Sequence, residues 1–272
     1  LWLTSHSWQA GKRMPGPSIL RLATEVAAVG ELGAFTMSAP LVKRWLPRGD
    51  RPVFVMPGFL ASDGSTLPLR RTLDRLGHTT YGWDLGRNLG PTPEILDGIV
   101  ERIDELHQKH GPIDVVGWSL GGIFARELAR VAPHTIRQVI TMGSPFQIET
   151  PADSNASLPY RALRHLHAPH LEMRVPAYVR DDLPVPTTSI YTRADGVVRW
   201  ADCLNHDTDT SENVEVYGSH CGLGFNLAAL IVVADRLAQP LDRWQPFQVH
   251  RSLRGLFPAA PTFRVPAEHA SG

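Results

Sequence analysis

The stretch of sequence that decides the fold is Gly117-Trp118-Ser119-Leu120-Gly121-Gly122-Ile123. It follows a run rich in β-branched residues, 113–116, and leads into a helical pattern from Phe124 onward. A strand, the pattern G-x-S-x-G and a helix in this order predict a nucleophile elbow, a turn too tight for large residues two positions either side of the serine. Gly117 and Gly121 let the backbone close sharply, so the pattern predicts that the Ser119 hydroxyl points outward.

A serine hydroxyl is a poor nucleophile at neutral pH, so Ser119 needs a base and a group that orients the base. In elbow-type sites these partners follow in the order acid, then histidine, each at the end of a later strand. Asp195 follows the predicted strand 187–192, and His220 follows the predicted strand 213–217. Aspartate before glycine is also a common turn residue, and other aspartates compete for the acid role: Asp181, Asp182, Asp202 and Asp207. Asp195 alone directly follows a strand, which predicts a triad of Ser119, Asp195 and His220.

These motifs resemble those of α/β-hydrolases of the bacterial lipase and carboxylesterase type, over roughly residues 50–240. The resemblance implies an oxyanion hole built from two backbone amides, one after the serine and one in the loop after an early strand. The amide after the serine belongs to Leu120. In the early loop, Pro57-Gly58 stands where His-Gly is usual, and the donor is then the amide of Phe59.

The same resemblance implies a serine ester hydrolase, either a carboxylesterase or a triacylglycerol lipase, that forms an acyl-enzyme and needs no metal or organic cofactor. Trp118 and Phe146 are expected to bind the hydrophobic acyl group of a small-molecule or lipid ester. An acyltransferase, a thioesterase or a polyester depolymerase would use the same triad. A binding protein on the same scaffold would usually lack a triad member, and this chain keeps all three.

Strands and helices alternate along the chain, which predicts an α/β fold with a mostly parallel sheet of about six strands and helices on both faces. The predicted strands are 52–57, 78–83, 113–118, 136–142, 187–192 and 213–217, and the helices include 65–76, capped near Ser62 or Asp63, and 92–110, capped by Thr92. The predicted organisation is an N-terminal extension and helical segment (1–50), a hydrolase core (51–240) and a C-terminal tail (241–272).

Residues 146–185 interrupt this alternation with prolines and clustered histidines. Hydrolases of this type carry a lid at that point, so the segment is either a short, loop-rich lid or a surface excursion. The side chains that would line an acyl pocket are Phe146, Leu158, Tyr160, Leu163, Leu166, Leu171 and Met173. His165, His167 and His170 have no carboxylate or cysteine at ligand spacing, which favours a solvated basic loop over a metal site.

The segment from Ser18 to Trp45 is apolar and helix-like. It either packs on the sheet or makes transient contact with a lipid interface, and its few basic residues favour packing. Met14 before Pro-Gly-Pro would be a natural start, and residues 1–13 lack the features of a signal peptide. A cytoplasmic location is therefore expected, although a secreted or periplasmic one stays open because the sequence begins without Met.

Composition agrees with a single large core, since 43% of the 272 residues are hydrophobic. The formal net charge is zero, which provides no basic surface for nucleic acid. No apolar stretch reaches the length of a transmembrane helix.

Cys203 follows the loop of Asp195, and Cys221 directly follows His220. If the triad forms, these loops converge, and we expect a disulfide that would hold the base in place. The alternative is two free thiols, as is usual in a reducing compartment.

Overall fold

The computed structural model describes residues 17, 22–23, 25–42, 45–148, 154–168 and 182–263. The strands are β1 (Pro52–Met56), β2 (Thr79–Tyr81), β3 (Ile113–Trp118), β4 (Ile136–Met142), β5 (Thr187–Tyr191), β6 (Ser211–Glu215) and β7 (Thr262–Phe263). The α-helices are α1 (Ala27–Val42), α2 (Asp63–Arg75), α3 (Pro93–His110), α4 (Leu120–Val131), α5 (Ser157–Ala162) and α6 (Leu227–Ala238). Short 3₁₀ helices lie at Pro133–Thr135, Arg164–Leu166, Trp200–Cys203, Leu223–Phe225, Leu241–Arg243 and Arg251–Leu256.

Within the described ranges the strands form one sheet in the order β2-β1-β3-β4-β5-β6-β7. Strands β1 to β6 are parallel to their neighbours, and β7 runs antiparallel to β6. The prediction of a mostly parallel sheet of about six strands flanked by helices is confirmed. The sequence did not predict β7, which comes from the segment predicted as a C-terminal tail. The same segment places Phe247 and Phe257 in the core, each 4% exposed.

The sheet separates two apolar layers, because successive side chains of a strand point to opposite faces. Val53 and Val55 of β1 face one layer, which contains α2 and α6. Phe54 and Met56 face the other layer, which contains α3 and α4. Burial on both faces explains why β1 is apolar throughout its length.

The helix α3 illustrates how local sequence fixes an element. The predicted cap Thr92 accepts a hydrogen bond on its side-chain oxygen from the amide of Ile95, at 3.3 Å. The buried side chains of the helix recur at helical spacing, namely Ile95, Ile99, Ile103 and Leu106.

The N-terminal helix α1 packs against α6 and the turn Leu223–Phe225. Its Phe35 is 4% exposed, whereas Val29 and Met37 are 76% and 79% exposed. One side of α1 therefore packs against α6 and the turn Leu223–Phe225. Contact of the exposed side with a lipid interface stays a prediction. In the part of the chain that the structure describes, no helix is both long and apolar enough to cross a membrane.

Strand register brings the loops of the predicted site together. Met56 lies opposite Gly117, so the loop after β1 and the turn after β3 leave the sheet side by side. Tyr191 lies opposite Glu215, so the loops after β5 and β6 do the same. The carboxyl ends of parallel strands share one edge, where ligands of open α/β sheets bind. The predicted triad residues follow strands that end at this edge.

Candidate active site

The turn that carries Ser119 is a sharp connection between β3 and α4. Ser119 has φ 53° and ψ −120°, a conformation rare for a residue with a side chain. A Cβ atom on Gly117 would lie 2.3 Å from Cα of Gly122, and one on Gly121 would lie 2.5 Å from the carbonyl oxygen of Met56. The close packing around the turn therefore requires glycine at both positions.

The structure brings the three predicted triad residues into one chain of hydrogen bonds. Nε2 of His220 lies 3.0 Å from Oγ of Ser119. Nδ1 of His220 lies 2.6 Å from Oδ2 of Asp195. A neutral imidazole with its proton on Nδ1 donates to Asp195 and leaves Nε2 free to accept the serine proton. Asp195 and His220 are 2% and 4% exposed, so water is largely excluded from this pair.

Asp195 is fixed by the loop that it begins. Its Oδ1 accepts hydrogen bonds from the amides of Val197 and Val198, at 2.8 Å and 2.7 Å. This leaves Oδ2 aimed at the imidazole, so the orientation of the carboxylate is set before any substrate binds.

The competing aspartates have other surroundings. Asp202 forms an ion pair with Arg199 at 3.0 Å. Asp182 lies 3.5 Å from Nδ1 of His206. Asp207 is partly exposed, and Asp181 lies outside the described residues.

The charge environment of His220 favours its protonated form. Burial lowers the pKa of the imidazole, but the negative charges of Asp195 and Glu25, with the hydrogen bond to Asp195, raise it above 6.5 overall. His220 is therefore a stronger base than a free imidazole. This is the direction that removal of a serine proton requires.

The predicted oxyanion donors lie on two segments that meet at Ser119. Leu120 is the first residue of α4, so its amide has no acceptor within the helix. The loop after β1 approaches from the other side, and a Cβ on Gly58 would lie 3.2 Å from Cβ of Ser119. The amide of Phe59 follows directly after this contact. The structure thus brings both predicted donor segments next to the serine, and their role in binding an oxyanion stays a prediction.

Asn88, which no sequence motif indicates, holds the loop after β1. Asn88 is 0% exposed, and its side-chain amide donates to the carbonyl of Pro57 at 2.9 Å. Its backbone carbonyl accepts from the amide of Leu60 at 2.7 Å, and its amide donates to the carbonyl of Ala61 at 2.8 Å. Asn88 lies in a turn-rich stretch, where asparagine is common. Its identity there does not indicate a contact with Pro57, 31 residues away.

Phe146 does not line the site, so that prediction is wrong. Its side chain is 0% exposed, and the guanidinium of Arg126 lies 3.7 Å from its ring centroid. Trp118 is 8% exposed, and its indole N–H donates to the carbonyl of His220 at 3.2 Å. Trp118 therefore supports the histidine loop, and its contact with substrate stays a prediction.

Residues 154–168, one of the described parts of the predicted lid, contact the loop of Phe59. The ring of Tyr160 is 5.3 Å from that of Phe59 and 4.7 Å from that of His167. Burial raises the pKa of Tyr160 to about 12. The side-chain amide of Asn155 donates to the carbonyl of Gly196 at 2.7 Å, which anchors the segment to the acid loop.

The remaining lid predictions have separate outcomes. Leu158 is 75% exposed, which does not fit a pocket-lining role, and Leu163 is partly exposed while Leu166 is 37% exposed. His167 is buried with Nε2 3.0 Å from the carbonyl of Leu89, so this part of the loop is not solvated. His170, Leu171 and Met173 lie outside the described residues. No group of three or more metal-ligating side chains occurs among the residues that the structure describes.

The predicted disulfide is also wrong, because Cys203 and Cys221 are both free. Cys203 is buried in the core, where burial raises its pKa well above 9.0. Cys221 is exposed, and partial burial with the nearby carboxylate of Glu25 raises its pKa to about 12. One thiol is therefore buried and the other lies at the surface. A different group, the carboxylate of Glu25, connects the two loops.

Comparisons with known proteins agree with this architecture. Residues 51–182 match the family model described as the alpha/beta hydrolase fold. No curated protein sequence matches the chain. A structure reported for LipS and LipT, two metagenome-derived lipolytic enzymes, is 16% identical with a TM-score of 0.53, and the alignment covers 70% of this chain and 93% of that one.

Two further structures are similar at lower scores. Est1E from Butyrivibrio proteoclasticus is 15% identical with a TM-score of 0.48, over 71% of this chain and 87% of that one. The thioesterase domain from the curacin biosynthetic pathway is 15% identical with a TM-score of 0.47, over 71% and 91%. The family match over residues 51–182 and the strand order together show an α/β-hydrolase fold, the fold that the resemblance in the sequence implied.

Proposed function

We propose that this protein is a serine ester hydrolase, a carboxylesterase or lipase that acts on hydrophobic acyl esters. The observation that carries the proposal is the chain of hydrogen bonds from Ser119 through His220 to Asp195, at 3.0 Å and 2.6 Å. A serine in a strained elbow, a buried histidine with a raised pKa and an ordered carboxylate are the parts that nucleophilic acyl transfer needs.

In the first half-reaction, Nε2 of His220 takes the proton of Ser119 while Oγ attacks the ester carbonyl carbon. The carbonyl oxygen becomes an oxyanion, which the amides of Phe59 and Leu120 stabilise. Asp195 stabilises the imidazolium. The carbon–oxygen bond to the alcohol then breaks, and the imidazolium gives its proton to the departing alkoxide.

In the second half-reaction, water attacks the acyl-serine, and His220 again acts as the base. The second tetrahedral intermediate releases the carboxylic acid and restores the Ser119 hydroxyl. Ring contacts between Phe59 and Tyr160 provide apolar surface near the serine, which favours a hydrophobic acyl group.

The test is hydrolysis of p-nitrophenyl esters over a series of acyl lengths. Ser119→Ala should lower kcat/KM by about 10⁴-fold or more, because the nucleophile is removed. Ser252→Ala, which alters an exposed serine, is the matched control and should keep wild-type activity. Activity that survives Ser119→Ala would refute the mechanism. Acyl transfer to an added alcohol in preference to water would assign the protein to the acyltransferases instead.

A further inference from the structure

We propose that Glu25 is a positioning residue of this site: its carboxylate joins the loop of Asp195 to the loop of His220 and so sets the distance between acid and base. The geometric part of the inference stands on hydrogen bonds within the structure. Its consequence for turnover rests on the proposed function.

One carboxylate binds amides from both loops. Oε1 of Glu25 accepts from the amide of Gly196 at 2.8 Å and from the amide of His220 at 3.1 Å. Oε2 accepts from the amide of Cys221 at 2.7 Å. Gly196 is the residue directly after Asp195, so the bonds of Glu25 reach the backbone at the acid loop and at the histidine itself.

A second carboxylate strengthens the attachment to the histidine loop. Oε1 of Glu31 accepts from the amide of Ser219 at 2.8 Å. A Cβ on Gly222 would lie 1.6 Å from Oε2 of Glu31, so the glycine leaves room for the carboxylate in this position. Glu25 and Glu31 thus bind the backbone at Ser219, His220 and Cys221, three consecutive residues.

Hydrogen bonds to an ionised acceptor are stronger and shorter than those between neutral groups. Besides the hydrogen bond between Asp195 and His220 themselves, a neutral hydrogen bond joins the loops, from the Thr192 hydroxyl to the carbonyl of Gly218 at 2.8 Å. Glu25 adds a charged link that binds the backbone of the acid loop and the backbone of the histidine loop. Small displacements of catalytic groups cause large losses of rate, so this link matters for turnover.

The carboxylate also acts on His220 through its charge. Among the described residues, Asp195 on the acid loop and Glu25 on the N-terminal segment act on the imidazole through their charge. Glu31 binds the neighbouring amide of Ser219, and Cys221 directly follows His220. The negative charge of Glu25 helps to raise the pKa of His220. Loss of that charge should therefore lower the pKa.

The experiment compares Glu25→Ala and Glu25→Gln with the matched control Glu101→Gln, which removes an exposed carboxylate from α3. Glu25→Ala removes all three hydrogen bonds and should lower kcat for ester hydrolysis by about 10- to 100-fold, with little change in KM. Glu25→Gln keeps one acceptor oxygen, so its kcat should fall less than that of Glu25→Ala. In both variants the acid limb of kcat/KM should move to lower pH, whereas Glu101→Gln should match the wild type.

A second readout does not depend on any substrate. Titration of the His220 imidazole by nuclear magnetic resonance, assigned with His220→Gln, should give a lower midpoint in Glu25→Gln than in the wild type. Folding of each variant is checked by thermal unfolding. Inactivity of the wild type on every ester would refute the proposed function and leave this titration as the test of Glu25. An unchanged midpoint with an unchanged kcat, or a lower melting temperature alone, would overturn the role of Glu25.

Discussion

The side-chain amide of Asn88 donates a hydrogen bond to the carbonyl of Pro57, 2.9 Å away, from a position with no exposed surface. The bond fixes the residue that precedes Gly58 and Phe59, and therefore the loop that is expected to bind the oxyanion. A contact between two loops, after β1 and after β2, thus sets the position of a predicted catalytic donor.

The first prediction concerns this contact. Asn88→Ala leaves the buried Pro57 carbonyl without its donor, which should lower the free energy of unfolding by about 1–3 kcal/mol. It should also lower kcat/KM by about 10-fold or more, because the oxyanion donor is displaced. Urea unfolding and ester kinetics measure the two effects.

Asn213→Ala is the control for that variant. Its side chain is also buried and exchanges hydrogen bonds with the backbone of Asn205, at 2.7 Å and 2.9 Å. It should lose similar stability and keep its kinetic constants. Equal kinetic losses in the two variants would contradict a specific role for Asn88.

The second prediction concerns the close approach at the elbow. In Gly121→Ala the new methyl group would lie 2.5 Å from the carbonyl oxygen of Met56, so the turn and β1 must move apart. Overpacking of this kind should cost about 1–3 kcal/mol in unfolding free energy, and the displaced Ser119 should react more slowly with a p-nitrophenyl ester. Gly255→Ala meets nothing within 4 Å and should behave as wild type. Normal acylation by Gly121→Ala would show that the turn tolerates a side chain.

The third prediction is a pH dependence. His220 must be neutral to accept the serine proton, so kcat/KM should rise with pH through the pKa of the free enzyme. Because the pKa of His220 is raised, the midpoint should lie above 6.5. Asp195→Asn removes the charge that raises the pKa, so its midpoint should move to lower pH. The same change should lower kcat by about 10⁴-fold, since it favours the wrong tautomer. If the midpoint is the same in Asp195→Asn as in the wild type, the rise of kcat/KM with pH reports a group other than His220.

The fourth prediction concerns the thiols. Without reductant, the denatured protein should take up two alkyl groups, since both cysteines are free. In the folded protein, Cys221 should react before the buried Cys203. The pKa of Cys221 is raised to about 12, so its reaction should be slow at neutral pH and accelerate as pH rises. Mass spectrometry after timed alkylation checks both statements, and a denatured protein that takes up no alkyl group would restore the disulfide.

Local patterns were sufficient to predict the strand ends that carry Ser119, Asp195 and His220. Ser119 directly follows β3, and Asp195 and His220 lie in the loops that follow β5 and β6. Parallel strands deliver such loops to one edge of the sheet. The structure supports this arrangement with the two hydrogen bonds of His220.

Residues whose role depends on distant contacts could not be predicted in this way. Glu25 is separated by 171 residues from Gly196 and by 195 from His220, so no periodicity or spacing connects them. Phe146 is apolar, but it is fully buried, and its ring lies against the guanidinium of Arg126 on α4. The disulfide expected from the converging loops is absent, since Cys203 is buried and Cys221 is exposed, and the carboxylate of Glu25 binds both loops.

The long separation between Glu25 and its partners also has a consequence for synthesis of the chain. Glu25 leaves the ribosome before most of the sheet exists, and its partner amides at 220 and 221 appear 195 and 196 residues later. Contacts of such high sequence separation close late, after the entropy of a long loop has been overcome. Until then the carboxylate of Glu25 is hydrated. In the nascent protein, the hydrogen bonds of Glu25 to both loops therefore form only after the segment that follows β6 has been made.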